Sequence, residues 1–199
     1  MEQAWVEEMA AYVNTIDGKH LLEIGLEGYY GSSTADRISI NPLRANGYGT
    51  DFIRLNQVAN IDFASVHSYP DTWLPNQSDD EKMSFLETWV NQHIQDATDT
   101  LNMPVMFCEF GKSDQVPDYK PQMRQQLYST VYNSVYSSIT KGGAGTGTLF
   151  WQLLTKGMKS WDDGFGVFAS DSSLISTINS QSSRLTKFMS SKSTKFRRR

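Results

Sequence analysis

The feature that most restricts this chain's fold is an alternation of short apolar runs with helix-period patterns. Four runs, over 20–26, 61–66, 104–108 and 148–153, have the length and composition of buried strands. Between them, Met83, Leu86, Val90, His93/Ile94 and Ala97 mark one helix face, and Met123, Leu127, Val131, Val135 and Ile139 mark another. Trp5, Met9, Tyr12/Val13 and Ile16 form an apolar row ahead of the first run, closed by Asp17-Gly18, and Leu174, Ile178, Leu185 and Phe188 form one after the last. A short helix is expected over 51–58, a long loop over 27–50, and an N-cap at Ser78 or Asp79. Gly142-Gly143-Ala144-Gly145 reads as a break before the fourth strand. The order is helix, then strand and helix four times, which argues for a parallel sheet in an α/β protein. Two architectures satisfy it: a small open doubly wound domain, or half of a (β/α)8 barrel. Length alone favours the first, because a full barrel takes about 250 residues.

In either architecture chemistry gathers at the carboxyl ends of the strands. The residues there are Glu27-Gly28-Tyr29-Tyr30, His67-Ser68-Tyr69-Pro70, Glu109-Phe110-Gly111-Lys112 and Trp151-Gln152. Glu109 ends an apolar strand, which gives a carboxylate the rigid support a nucleophile needs. The plainer alternative is a Glu paired with a neighbouring cation. His67 and Tyr69 are two residues apart and would share a strand face, where a phenol can donate to a carboxylate. Trp151 is placed to stack on a flat ligand or to fill the core. Glycosidic bond cleavage uses two carboxyl groups, so Glu27 is a candidate partner for Glu109, although Gly28 leaves its direction open. His20, at the start of a strand, and His93, on a helix face, read as structural, and Cys108 as a packed strand residue.

Several classes fall away. A formal net charge of −4 argues against nucleic acid as partner. No stretch is long and apolar enough to span a membrane. No His/Cys cluster has metal-ligand spacing. Gly25, Gly28 and Gly31 miss the dinucleotide fingerprint, and the glycines at 142–147 precede a strand whereas phosphate loops follow one. Neither metal nor cofactor is therefore expected. A single cysteine excludes an internal disulfide. The acidic N-terminus has no leader pattern, and Asn76-Gln77-Ser78 is a glycosylation sequon. Residues 189–199 read as a basic, disordered tail beyond a domain spanning 1–188.

Taken together the motifs are recognisable. Trp5-Val6-Glu7-Glu8-Met9, Leu22-Glu23-Ile24-Gly25-Leu26-Glu27-Gly28-Tyr29-Tyr30-Gly31, Gly49-Thr50-Asp51-Phe52, Ile61-Asp62-Phe63-Ala64-Ser65-Val66-His67-Ser68-Tyr69-Pro70-Asp71, Cys108-Glu109-Phe110-Gly111-Lys112-Ser113 and Leu149-Phe150-Trp151-Gln152-Leu153 resemble plant mannan endo-1,4-β-mannosidases of glycoside hydrolase family 5. The resemblance covers about residues 2–188. It implies the C-terminal half, strands five to eight, of a (β/α)8 barrel. It also implies retaining cleavage inside mannans, galactomannans and glucomannans, and a secreted, cell-wall setting. By resemblance Glu109 matches the nucleophile, His67 and Tyr69 the sixth-strand pair lining the site, and Trp151 the eighth-strand tryptophan beneath the sugar. The family's general acid/base, the Glu of an Asn-Glu-Pro motif on the fourth strand, has no counterpart in this chain, and Glu27 matches a different family position. The expectation is therefore a truncated enzyme. The rival is a noncatalytic or degenerate chain that keeps a mannan-facing surface. An open half-barrel would also expose apolar edges, which self-association would cover.

Overall fold

In the computed structural model, residues 2–42, 45, 48–117 and 119–196 are described. The central sheet has three parallel strands in the order β1 (Ala64–Ser68), β2 (Val105–Phe110) and β3 (Gly145–Thr148). A second parallel pair, β4 (Leu153–Leu154) with β5 (Val167–Phe168), follows. Helices α1 (Glu2–Ile16), α2 (Phe52–Asn56), α3 (Pro70–Trp73), α4 (Asp79–Asp96), α5 (Pro121–Lys141) and α6 (Ser172–Phe196) connect and flank these strands. The chain is thus α/β with parallel strands, half of a (β/α)8 barrel.

The main helices form where their ends are satisfied. Ser78 caps α4 and Glu81 reaches back to the Ser78 amide, a full capping box. Pro121 opens α5, and Gly142 closes it in the left-handed conformation. On α4 the buried face is Leu86, Trp89, Val90 and His93; on α5 it is Leu127, Tyr128, Val131, Tyr132 and Val135. These faces pack with Val66, Val105, Phe107 and Phe110 of the sheet. Each large apolar side chain so buried contributes about 1.5–3 kcal/mol.

The structure departs from the sequence reading at the strands. The run at 20–26 is not a strand. Leu22 to Glu27 follows β1 with two backbone bonds, Asp62 N to Leu22 O and His67 N to Glu27 O. Positive φ at Gly25 and Gly28 interrupts a regular ladder. The fourth strand is not 148–153 but begins inside the glycine run. A Cβ at Gly145 would lie 3.0 Å from Ile94, and one at Gly147 3.0 Å from Met106, so the glycines admit close packing rather than ending the sheet.

The apolar row at helical spacing lies on α1 as expected, but it is largely exposed, Trp5 to 60% and Ile16 to 70%. Val6 and Ala10 do the packing instead, against Leu26, Leu55, Val58 and Ile61. This helix carries two apolar stripes, and periodicity alone does not say which meets the core. At the carboxyl end, α6 runs to Phe196. Lys187 and Lys192 lie in its later turns, where the helix dipole favours cations. Arg197, Arg198 and Arg199 lie outside the described residues. The loop expected over 27–50 contains a 3-10 segment, Ser32–Ile40, kinked at Thr34.

Candidate active site

The register of the parallel sheet brings the strand ends together. His67 on β1 is the Cα partner of Glu109 on β2, just after a shift in the ladder at Val66/His67. Glu109 is the next-to-last residue of β2, between half-buried Cys108 and fully buried Phe110. Tyr69 leaves the end of β1 as the residue preceding α3. Its Oη donates to Glu109 Oε2 at 2.8 Å. Burial first, and the bond to Glu109 second, hold the Tyr69 phenol protonated far above its ordinary range.

His67 Nδ1 lies 3.2 Å from Glu27 Oε1 and 3.6 Å from Glu109 Oε2. The nearest oxygens of the two carboxylates are therefore within about 7 Å of each other, the scale on which glycosidase carboxyl pairs are spaced. Burial pulls His67 toward neutrality, but Glu27 and then Glu109 outweigh it, and its pKa is raised above 6.5. Trp151 donates from Nε1 to Asp163 Oδ2 at 2.7 Å. Burial raises the Asp163 pKa, but Trp151, the Phe165 amide and further bonds overcome it and keep the carboxyl below its usual value.

Glu27, Tyr69, Glu109, Trp151, Asp163 and Phe165 line one cleft of about 870 Å³, which also extends to Tyr29, Tyr48 and Trp73. The structure thus brings all four singled-out residues, Glu109, His67, Tyr69 and Trp151, to one rim. Glu27 joins them there through the His67 contact. His93 is fully buried, with its two ring nitrogens each 2.7 Å from a carbonyl oxygen, of Trp89 and of Gly28. It fixes the segment that carries Glu27 to α4. His20 is exposed in a turn, paired with Asp17 at 2.6 Å. The Cys108 thiol is pushed up to about 11 by burial, with Glu23 and Glu109 adding to it, which leaves it a poor nucleophile.

Two anchors behind the site were not visible in the sequence. Lys112 Nζ, buried, pairs with Asp71 at 3.0 Å and Asp79 at 3.0 Å. It ties the segment after Glu109 to the segment after Tyr69. Arg124 of α5, also buried, donates from Nε to Lys112 O (2.8 Å), from Nη1 to Gly166 O (3.2 Å) and from Nη2 to Gly164 O (2.6 Å). It joins the end of β2 to the loop that carries Asp163 and Phe165. The only sequence signal was the basic residue type, since backbone carbonyls leave no trace in the sequence. Among the described residues no group of three or more His, Cys, Asp or Glu is arranged to hold a metal ion.

Parallel strands that bring polar and aromatic residues to a common rim define a segment of a (β/α)8 barrel with a candidate site at its carboxyl-terminal face. The model of the GH family 5 beta-mannosidase-like family matches residues 1–164, and the chain belongs to that family. Mannan endo-1,4-beta-mannosidase 7 of Arabidopsis thaliana is 47% identical over 185 residues, 92% of this chain and 42% of the relative. Mannan endo-1,4-beta-mannosidase 2 of Oryza sativa subsp. japonica is 46% identical over 187 residues, again 92% of this chain and 42% of the relative. The chain thus spans less than half the length of these relatives. Among solved structures, the endo-1,4-beta-mannanase of Rhizomucor miehei superposes with a TM-score of 0.71 at 26% identity, covering 94% of this chain and 46% of that one. The endo-beta-1,4-mannanase of Thermotoga petrophila gives a TM-score of 0.71 at 25% identity over 92% of this chain and 39% of that one.

Proposed function

We propose that this chain carries the nucleophile side of a retaining endo-β-1,4-mannanase site, with Glu109 as the nucleophile. The observation that carries this reading is the Tyr69–Glu109 bond of 2.8 Å at the end of β2, in a cleft that Trp151 also lines. In this reading Glu109 attacks the anomeric carbon of a β-mannosyl unit while the bond to the leaving sugar's oxygen breaks. That oxygen takes a proton from a general acid, and water then cleaves the glycosyl ester on Glu109 with net retention. Tyr69 orients the carboxylate, His67 faces the sugar hydroxyls, and Trp151 offers a ring face to the sugar.

The names of the relatives support mannans as the substrate class; galactomannans and glucomannans as variants, and an extracellular setting, are what the family resemblance implies. No helix among the described residues is long and apolar enough to cross a membrane. The exposed apolar side chains Trp5, Tyr12, Ile16, Leu149 and Leu153 support the reading that the half-barrel self-associates.

By resemblance the general acid of such a site is the Glu of an Asn-Glu-Pro motif. No Asn-Glu-Pro occurs in these 199 residues, and lack of such a group costs about 10²–10⁴-fold in rate. That observation favours a second reading, in which the chain binds mannan without cutting it. Incubation with mannohexaose separates the two. Release of shorter sugars that Glu109→Gln abolishes supports the nucleophile; turnover unchanged in that variant sinks it. Calorimetric binding with no products favours the second reading.

A further inference from the structure

The cleft is longer than the group around Glu109 requires. At about 870 Å³ it lies near the upper end of ligand sites, more than one sugar ring fills. Five of its lining side chains form a continuous row of rings. Phe165 meets Tyr69 at 5.2 Å between centroids, Tyr69 meets Trp73 at 6.4 Å, Trp73 meets Tyr29 at 5.6 Å, and Tyr29 meets Tyr48 at 5.5 Å. Tyr69 holds Glu109, so the row leads from the nucleophile to Tyr48, away from the Phe165 end.

Tyr48 is the unusual member. Its residue is 66% exposed, yet its ring stacks on Tyr29 with only 23° between the planes. Tyr29 is itself buried and braced by Trp73 and, at 6.2 Å, by fully buried Trp89. An exposed aromatic kept only to cover the core would bury more of itself. This one is backed by a fixed ring and open to solvent over most of its surface. A flat amphipathic ring with a polar tip suits a wet site that receives the C–H face of a pyranose. Asn76, which also lines the cleft, supplies hydrogen-bonding groups for its hydroxyls.

We infer that Tyr48 is the platform of an additional sugar subsite, remote from Trp151, which takes a further unit of a β-1,4-linked hexopyranose chain. This rests on the reading of the cleft as a mannan site and deepens it: the subsite makes the cleft select long chains over short ones.

The test is calorimetric titration of the full chain with mannotriose and mannohexaose, in a Glu109→Gln background that removes turnover. Tyr48→Ala should weaken mannohexaose about three- to tenfold, the range of one lost aromatic stacking contact, and leave mannotriose unchanged. Tyr48→Phe, which keeps the ring, should retain the hexaose preference. Equal weakening of both sugars, or of neither, overturns the subsite while leaving the mannan reading intact. Equal weakening with a lowered melting temperature identifies Tyr48 as a structural cover instead, and also overturns it. If the Glu109→Gln parent binds neither sugar, the mannan reading falls and the subsite with it.

Discussion

Replacing Arg124 by Met tests how the walls of the cleft are held. Arg124 is 6% exposed, and among the described residues no carboxylate forms a salt bridge with it. Its donors are taken up by three backbone carbonyls, of Lys112, Gly164 and Gly166, at 2.8, 2.6 and 3.2 Å, and its carbon centre lies 5.3 Å from the centroid of the Tyr119 ring. Met keeps most of the stem's volume and removes every donor, so packing changes little and hydrogen bonding changes a great deal. A hydrogen bond from a charged donor is worth about 1.5–3 kcal/mol net. Three would sum to about 4.5–9 kcal/mol, but loop carbonyls freed near the surface recover part of this from water. The expected loss is about 3–5 kcal/mol, the lower part of that sum once water has restored some of the carbonyl bonding. With a urea slope of roughly 2 kcal/mol/M, the unfolding midpoint should fall by about 2 M. Arg124→Lys should fall in between, because a single ammonium cannot span three carbonyls in the plane of a fork. Urea unfolding followed by tryptophan fluorescence reads both variants. A Met variant within about 1 kcal/mol of the parent, or a Lys variant equal to it, would refute the argument.

Gly28→Ala should destabilise by about 2–4 kcal/mol, since φ is +103° and the new Cβ would lie 3.0 Å from Val66 and 3.1 Å from the His93 ring; thermal melting showing no loss would contradict this. Lys112→Met should cost about 3 kcal/mol, because Asp71 keeps only Lys82, at 3.3 Å, as partner; a melting temperature equal to the parent's would count against it. His67 makes a pH-dependent contribution. Its raised folded pKa means the contacts with Glu27 and Glu109 stabilise fully below about pH 6.5 and fade as pH rises through the folded value. The stability difference between the parent and His67→Gln should therefore be larger at pH 5.5 than at pH 8.5, and a difference that grows with pH would contradict the assignment.

Much of this was legible in the sequence wherever local chemistry decides the outcome. Ser78 and Glu81 announce the start of α4, and the four-residue steps from Leu127 to Val135 define the buried side of α5. The strand ends delivered Glu109, Tyr69 and His67 to one rim because parallel βα order fixes which ends meet. What stayed hidden depends on partners far along the chain. The apolar row of α1 did not reveal which stripe meets the core, since that is set by Leu55, Val58 and Ile61 across the fold. Glycines at 145 and 147 read as a break because the close approach of Ile94 and Met106 is invisible in sequence. The long-chain end of the cleft, Tyr29 and Tyr48, lay within a stretch that reads as loop, where periodicity carries no information.

The assignment of Glu109 as nucleophile is tested most directly by covalent trapping. A 2-deoxy-2-fluoro-β-mannoside with a dinitrophenolate leaving group suits this chain, because dinitrophenolate departs without protonation and the general acid is not needed. The fluorine slows breakdown of the glycosyl ester, so the intermediate accumulates. Peptide mass spectrometry of the treated, folded chain should then place the fluoromannosyl mass on Glu109, and Glu109→Gln should carry none. A folded chain that gains no label, or a label that persists on another residue in Glu109→Gln, would contradict the account.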